Sequence, residues 1–318
     1  MESPNCITLG IIGAGQMGEA IAEGLLADGK VEKKDLYLCD HKLDKADYFA
    51  SKGINFTTNI DEIVKNTKNI LLCAKPLDIA PILLKMRPLL SNDQVIISIA
   101  AGITLDFMEA TLNKPNPIIR VMPNNCCIVK ASATVYCLGK YVTEQQAKCF
   151  EYLMSSLGLV SRTQEKLMDT FTGFTGSGPA YAYLFIQSLA DGAVRNGVPR
   201  ELAIKFAAQI LYGAGKLVLE SNKHPAFLID AVMTPAGTAA EGMLILEKSA
   251  FRANVIKAVT SATKRSQELG QGLGELKYLY KNQKTEKKKK GRRGFCEVKL
   301  INYQKGLNFL KDILKRIK

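Results

Sequence analysis

Gly10-Ile11-Ile12-Gly13-Ala14-Gly15-Gln16-Met17-Gly18 continues an apolar run that begins at Ile7, and it opens an amphipathic stretch. That order predicts strand, glycine turn and helix. Gly13 permits the tight turn, Gly15 lets a pyrophosphate approach the backbone, and Gly18 lets the helix pack on the strand. The helix N-terminus then offers unpaired N–H groups to phosphates. A further strand over residues 35–39 stands where a βαβ unit requires it, so the chain is expected to bind a dinucleotide.

Outward from this stretch, short β-rich runs alternate with helical patterns: strands over 69–73, 94–99, 118–122, 133–137 and 159–162, helices over 44–52 and 78–90. The strands are apolar on both faces. Such runs suit a parallel sheet covered by helices on each side, with ligands at the carboxyl ends of the strands. From about residue 165 the alternation stops, and helices are predicted over 180–196, 200–219, 226–233, 239–248 and 251–268. Several of these are apolar on more than one face, which suggests packing against a second subunit. The fold class expected is α/β, an N-terminal Rossmann-like doubly wound sheet with an all-helical C-terminal dimerisation domain. The expected divisions are 1–164 for the dinucleotide-binding domain, 165–270 for the helical substrate and dimerisation domain, and 271–318 for a basic tail, disordered or appended.

The chain has 318 residues and a formal charge of +13. The charge is concentrated at one end: residues 271–318 hold 15 Lys+Arg against 4 Asp+Glu, which leaves 28 against 26 for residues 1–270. A nearly neutral body gives no reason to expect a nucleic-acid partner, whereas the tail, with Lys287-Lys288-Lys289-Lys290-Gly291-Arg292-Arg293, could hold a polyanion that the sequence does not identify. The eight cysteines are scattered, and Cys39, Cys73 and Cys137 fall in strand-like runs. Neither a disulfide framework nor a metal site is expected. No signal peptide is recognised and no apolar run is judged long enough to cross a bilayer, so the expected setting is cytoplasmic.

Two segments of the helical region carry chemical interest. Thr175-Gly176-Ser177-Gly178-Pro179-Ala180-Tyr181 and Thr234-Pro235-Ala236-Gly237-Thr238-Ala239 each precede a helix start. Exposed helix N-termini with hydroxyls favour an anion such as a carboxylate. The ordinary role of Ser177 and Thr238 there is to cap a helix.

Residues 9–270 resemble pyrroline-5-carboxylate reductase. The resemblance runs through Gly10–Gly18, Ala74-Lys75-Pro76, Ala100-Ala101-Gly102, Arg120-Val121-Met122-Pro123-Asn124, the segment from Gly173 to Tyr181, His224-Pro225 and Thr234–Thr238. It implies reduction of the cyclic imine 1-pyrroline-5-carboxylate to L-proline with NADPH or NADH, in a homodimer or higher homo-oligomer. The cofactor would lie on Gly13, Gly15, Gln16, Met17 and Gly18, with Asn59 facing the adenosine. Ala74, Lys75, Pro76, Ala100, Ala101 and Gly102 would line the nicotinamide side. The substrate pocket would comprise Thr234, Gly237, Thr238 and Ala239, with Ser177 and Glu165 nearby.

This chemistry asks little of side chains, because a hydride attacks the imine carbon and the basic imine nitrogen takes a proton from water. No catalytic residue is assigned. The spacing Gly176-x-Gly178 leads to Ala182, where related 2-hydroxy-acid dehydrogenases carry an acid–base lysine, so alcohol oxidation is disfavoured. Two departures from the family pattern touch the substrate pocket. Ala236 replaces a glycine, and Ala239 replaces the threonine whose hydroxyl meets the imine nitrogen, which leaves open a cofactor-binding protein of weak or no turnover. A third departure is Asn125-Cys126 in place of Thr-Pro. Asp40 argues for NADH, since an acid at the end of the second strand accepts the ribose 2′-OH, whereas His41, Lys42 and Lys45 argue for NADPH. Use of both is expected.

Overall fold

The computed structural model describes residues 7–43 and 45–287. They divide into two compact units, one of residues 7–171 with the chain from Lys264 on, the other Thr172–Thr263. The compact units part at 171/172, and from Lys264 onward the last helix belongs to the first unit.

The first unit contains β1 (Leu9–Ile12), α1 (Gln16–Ala27), β2 (Leu36–Cys39), α2 (Ala46–Ser51), β3 (Asn55–Thr57), α3 (Ile60–Asn66), β4 (Asn69–Leu72) and α4 (Pro76–Met86). It continues with β5 (Val95–Ser98), α5 (Leu105–Leu112), β6 (Ile118–Met122), β7 (Ser132–Leu138), α6 (Glu144–Met154), β8 (Gly158–Arg162) and α7 (Met168–Phe171). The eight strands form one sheet in the order β3-β2-β1-β4-β5-β6-β7-β8, with only β6 and β7 antiparallel. Strand order reverses between β1 and β4, which is where an open α/β sheet leaves a crevice for a ligand.

Alternate strand residues feed two cores. Leu9, Ile11, Leu36 and Leu38 join α1 and α6 on one face, and Ile12, Ile70, Leu72 and Ile96 join α3, α4 and α5 on the other. This explains why the strands read as apolar on both faces. Short polar caps start several helices: Asn59 accepts from Asp61 N–H, Thr104 from Phe107 N–H, and Thr143 and Gln146 form a reciprocal capping box. Each satisfies N–H groups that the first helical turn leaves unpaired.

The second unit is helical. A π-helical turn (Thr172–Gly176) leads into α8 (Gly178–Arg195), α9 (Arg200–Ser221), α10 (Pro225–Val232), α11 (Thr238–Lys248) and the start of α12 (Phe251–Lys287). Its small buried core is built on Ala190, Ala203 and Ala207. Large apolar side chains such as Leu184, Phe206, Ile210, Tyr212 and Leu217 are exposed. Contrary to expectation, one helix among the described residues, α9, is long and apolar enough to cross a membrane by length and composition; Lys205 and Lys216 interrupt its apolar run without offsetting it. The tail boundary also moves. α12 continues to Lys287, so residues 271–287 are helical, and the rest of the expected tail, 288–318, lies outside the described residues.

Candidate functional site

The glycine turn joins β1 to α1 by a route only glycines permit. Gly13 has φ +105°, and a Cβ there would stand 2.7 Å from the Cys73 carbonyl oxygen. A Cβ on Gly18 would stand 2.1 Å from the Gly13 carbonyl oxygen. At Gly15, by contrast, a Cβ would meet nothing among the described residues within 4 Å. The open space over Gly15 is what a pyrophosphate needs, and α1 begins there with no side-chain cap, leaving Gln16 and Met17 in its first turn. These residues fit a dinucleotide.

Around the turn, parallel register brings the other predicted cofactor residues to one end of the sheet. Ile12 pairs with Cys39 and Leu72, Leu72 with Ser98, and Cys39 with Thr57. Asp40, Asn59, Ala74-Lys75-Pro76 and Ala100-Ala101-Gly102 therefore all follow adjacent carboxyl ends. Lys75 is the N-cap of α4 with Pro76 in its first turn. Gly102 needs its glycine, with φ +74°.

Asp40 has a role not anticipated from position alone. Its Oδ2 accepts the Ala14 N–H at 2.9 Å and its Oδ1 the Lys42 N–H at 3.1 Å, so the carboxylate braces the glycine turn itself. His41 Nδ1 lies 3.1 Å from the same Oδ1. Lys45 pairs with Glu19 of α1, which leaves it less available to a 2′-phosphate than its sequence position suggested. The nearby Cys39 thiol is pushed up to about 11 by burial and by the Asp40 charge, so it is not a nucleophile at neutral pH.

In the second unit, Thr234–Ala239 makes one turn. The Gly237 N–H donates to Thr234 O at 2.9 Å, and a Cβ on Gly237 would stand 2.2 Å from Thr234 Oγ1. α11 then starts at Thr238 with Gly237 as N-cap and no side-chain cap, so the Thr238 hydroxyl does not close the helix end. Ala236 sits at φ +55°, the left-handed region, where an L-residue costs about 1–2 kcal/mol. Ser177 is not a side-chain cap either: its hydroxyl donates to Thr172 O at 3.1 Å.

Glu165, expected near the substrate pocket, has partners of its own. It belongs to the first unit, where its Oε1 accepts the Leu105 N–H at 2.7 Å and Arg120 Nη1 at 3.1 Å. A carboxylate held this way supports α5 and β6. The missed residue is Arg120, almost fully buried in β6. Its signal was the lone charge in the strand Ile-Ile-Arg-Val-Met.

A glycine-turn Rossmann sheet followed by a helical unit defines a dinucleotide-dependent oxidoreductase. A family model described as pyrroline-5-carboxylate reductase dimerisation matches residues 165–269, and one described as NADP oxidoreductase, coenzyme F420-dependent, matches residues 8–102. The chain belongs to the pyrroline-5-carboxylate reductase family. It is 38% identical to pyrroline-5-carboxylate reductase of Arabidopsis thaliana over 264 residues, covering 83% of this chain and 95% of the relative. It is also 38% identical to pyrroline-5-carboxylate reductase 3 of Danio rerio over 271 residues, 85% of this chain and 94% of the relative. The crystal structure of Plasmodium falciparum pyrroline carboxylate reductase with NADP bound is similar at TM-score 0.77 and 32% identity, covering 83% of this chain and 98% of that one.

Proposed function

We infer that this protein reduces 1-pyrroline-5-carboxylate to L-proline with NADPH or NADH, the last step of proline synthesis. The observation that carries the reading is the pairing, in one chain of this family, of a glycine turn only a dinucleotide-binding backbone needs with an uncapped helix start at Thr238. When bound, the reduced nicotinamide supplies the hydride. The Gly15, Gln16 and Met17 backbone holds the pyrophosphate, and the segments 74–76 and 100–102 line the nicotinamide side. The α11 N-terminus, with Thr234 and Thr238, holds the substrate carboxylate. The hydride adds to the imine carbon, the C=N π pair moves to nitrogen, and water provides the proton. Without a hydroxyl at Ala239 the nitrogen loses one hydrogen bond, worth about 0.5–1.5 kcal/mol, at most about tenfold in rate.

The same reading extends to assembly and setting. The exposed apolar side chains of α8 and α9 fit a homodimer or higher homo-oligomer better than a monomer. The cytoplasm suits cysteines that, among the described residues, carry free thiols. The left-handed Ala236 and the missing hydroxyl at Ala239 favour a second reading, a cofactor-binding protein of weak turnover. Oxidation of NADPH and of NADH with purified protein and pyrroline-5-carboxylate tests both: turnover with either supports the reductase, and absence of turnover that returns in Ala239→Thr supports the second reading.

A further inference from the structure

Arg120 is 2% exposed in the middle of β6. A buried guanidinium is costly unless paired, so what surrounds it is informative. Nη1 donates to Glu165 Oε1 at 3.1 Å, and Nη2 lies 3.6 Å from Asp169 Oδ1. Nε and Nη2 make no hydrogen bond among the described residues, so the two carboxylates are what hold the charge. Each carboxylate reaches on to a second element. Glu165 Oε1 also accepts the N–H of Leu105, the first residue of α5. Asp169 Oδ1 accepts the Ser266 hydroxyl at 2.7 Å, and Ser266, on α12, is 3% exposed.

One helical turn beyond Ser266, Gly270 rests on Gly102. A Cβ on Gly102 would stand 3.1 Å from Gly270 N, and a Cβ on Gly270 would stand 3.0 Å from Gly102 O. The segment Ala100–Gly102 is therefore held from two directions. Glu165 ties down the helix that follows it, and Asp169 with Ser266 ties down the helix packed over Gly102. Both ties converge on one guanidinium, which a planar fork can hold and a point charge cannot.

We propose that Arg120 is a positioning residue for hydride transfer: through Glu165 and Asp169–Ser266 it sets the segment 100–102. The proposal rests on the reading that this segment lines the nicotinamide. A misplacement of about 1 Å at a reacting centre can cost about a hundredfold in rate, so the device acts on the chemical step more than on cofactor affinity.

The test uses the full chain in three variants. Arg120→Lys keeps the charge and loses the fork, Ser266→Ala cuts only the α12 tie, and Ala101→Leu places bulk directly in the segment. Single-turnover hydride transfer from NADPH, with and without deuterium at the nicotinamide C4, is measured beside NADPH affinity and the melting midpoint. Expected for Arg120→Lys is hydride transfer slowed about tenfold or more with a larger isotope effect, against an affinity change under about threefold; Ser266→Ala slows transfer about two- to fivefold in a fully folded protein. Transfer at the wild-type rate in both variants, or loss that only follows the unfolded fraction, overturns the proposal. If Arg120→Lys fails to fold, Ser266→Ala decides alone. Unchanged transfer in Ala101→Leu removes the nicotinamide reading and the proposal with it, whereas slowed transfer there with normal transfer in Arg120→Lys and Ser266→Ala removes the proposal alone.

Discussion

The two glycine-bearing turns of this protein solve similar backbone problems under different tolerances. At Gly13–Gly18 the positions that collide or turn left-handed, Gly13 and Gly18, are both glycine, and the turn is braced by the Asp40 carboxylate. At Thr234–Ala239 the colliding position is Gly237, but the left-handed one is Ala236. The difference is one of consequence. A Cβ 2.1 Å from a carbonyl oxygen cannot be relieved without moving α1 off β1, whereas a left-handed alanine costs only about 1–2 kcal/mol and leaves the chain's course intact.

Breaking the first turn should have the largest effect. Gly18→Ala is expected to cost about 3 kcal/mol, or about a hundredfold in NADPH affinity, measured by fluorescence titration. Removing the brace comes next. Asp40→Asn retains one acceptor oxygen and loses the charge, so NADH and NADPH should weaken together, by about tenfold. If NADPH binding instead improves while NADH binding falls, the carboxylate faces the ribose rather than the turn.

The second turn should be improvable. Ala239→Thr is expected to raise turnover by up to about tenfold in steady-state assays. Ala236→Gly relieves the left-handed strain and pays some of it back through a more flexible unfolded chain, for a net gain of about 0.5–1 kcal/mol in denaturant unfolding. The smallest effect belongs to the outer flank of the first turn, where Glu23 of α1 is bound by Lys52 and Tyr48. Those hydrogen bonds hold the Glu23 carboxyl below its ordinary range. A depressed folded-state value stabilises above the unfolded value and is lost as pH falls through the folded one, so the melting midpoint of Glu23→Gln should drop less than that of the wild type between about pH 5 and 3. Both side chains are well exposed, and added salt should shrink the difference.

The sheet was legible wherever strands were buried on both faces, because an uninterrupted apolar run such as residues 95–97 has few other uses. β3 was not: its three residues, Asn55–Thr57, are exposed or half-buried at the sheet edge and carry no apolar pattern. The glycine turn was legible because the positive φ of Gly13 and the close approach of Gly18 to Gly13 both act within six residues. Asp40 was assigned to the ribose because its known use is a matter of position, yet its partner Ala14 is 26 residues away. The Glu165 partnership was hidden for the same reason, since Arg120 lies 45 residues distant.

By itself the sequence determined the alternation of buried strands with helices and the helical second region, the glycine turn, the family pattern across residues 9–270 and the two departures at Ala236 and Ala239, because each is written in neighbouring residues and short-range sterics. Tertiary structure alone decided that Ala236 is left-handed, that Asp40 serves the turn, and that Glu165 and Asp169 share a buried guanidinium with Ser266 behind them. A side chain's chemistry depends on which charges and donors surround it, and folding brings those together from distant parts of the chain.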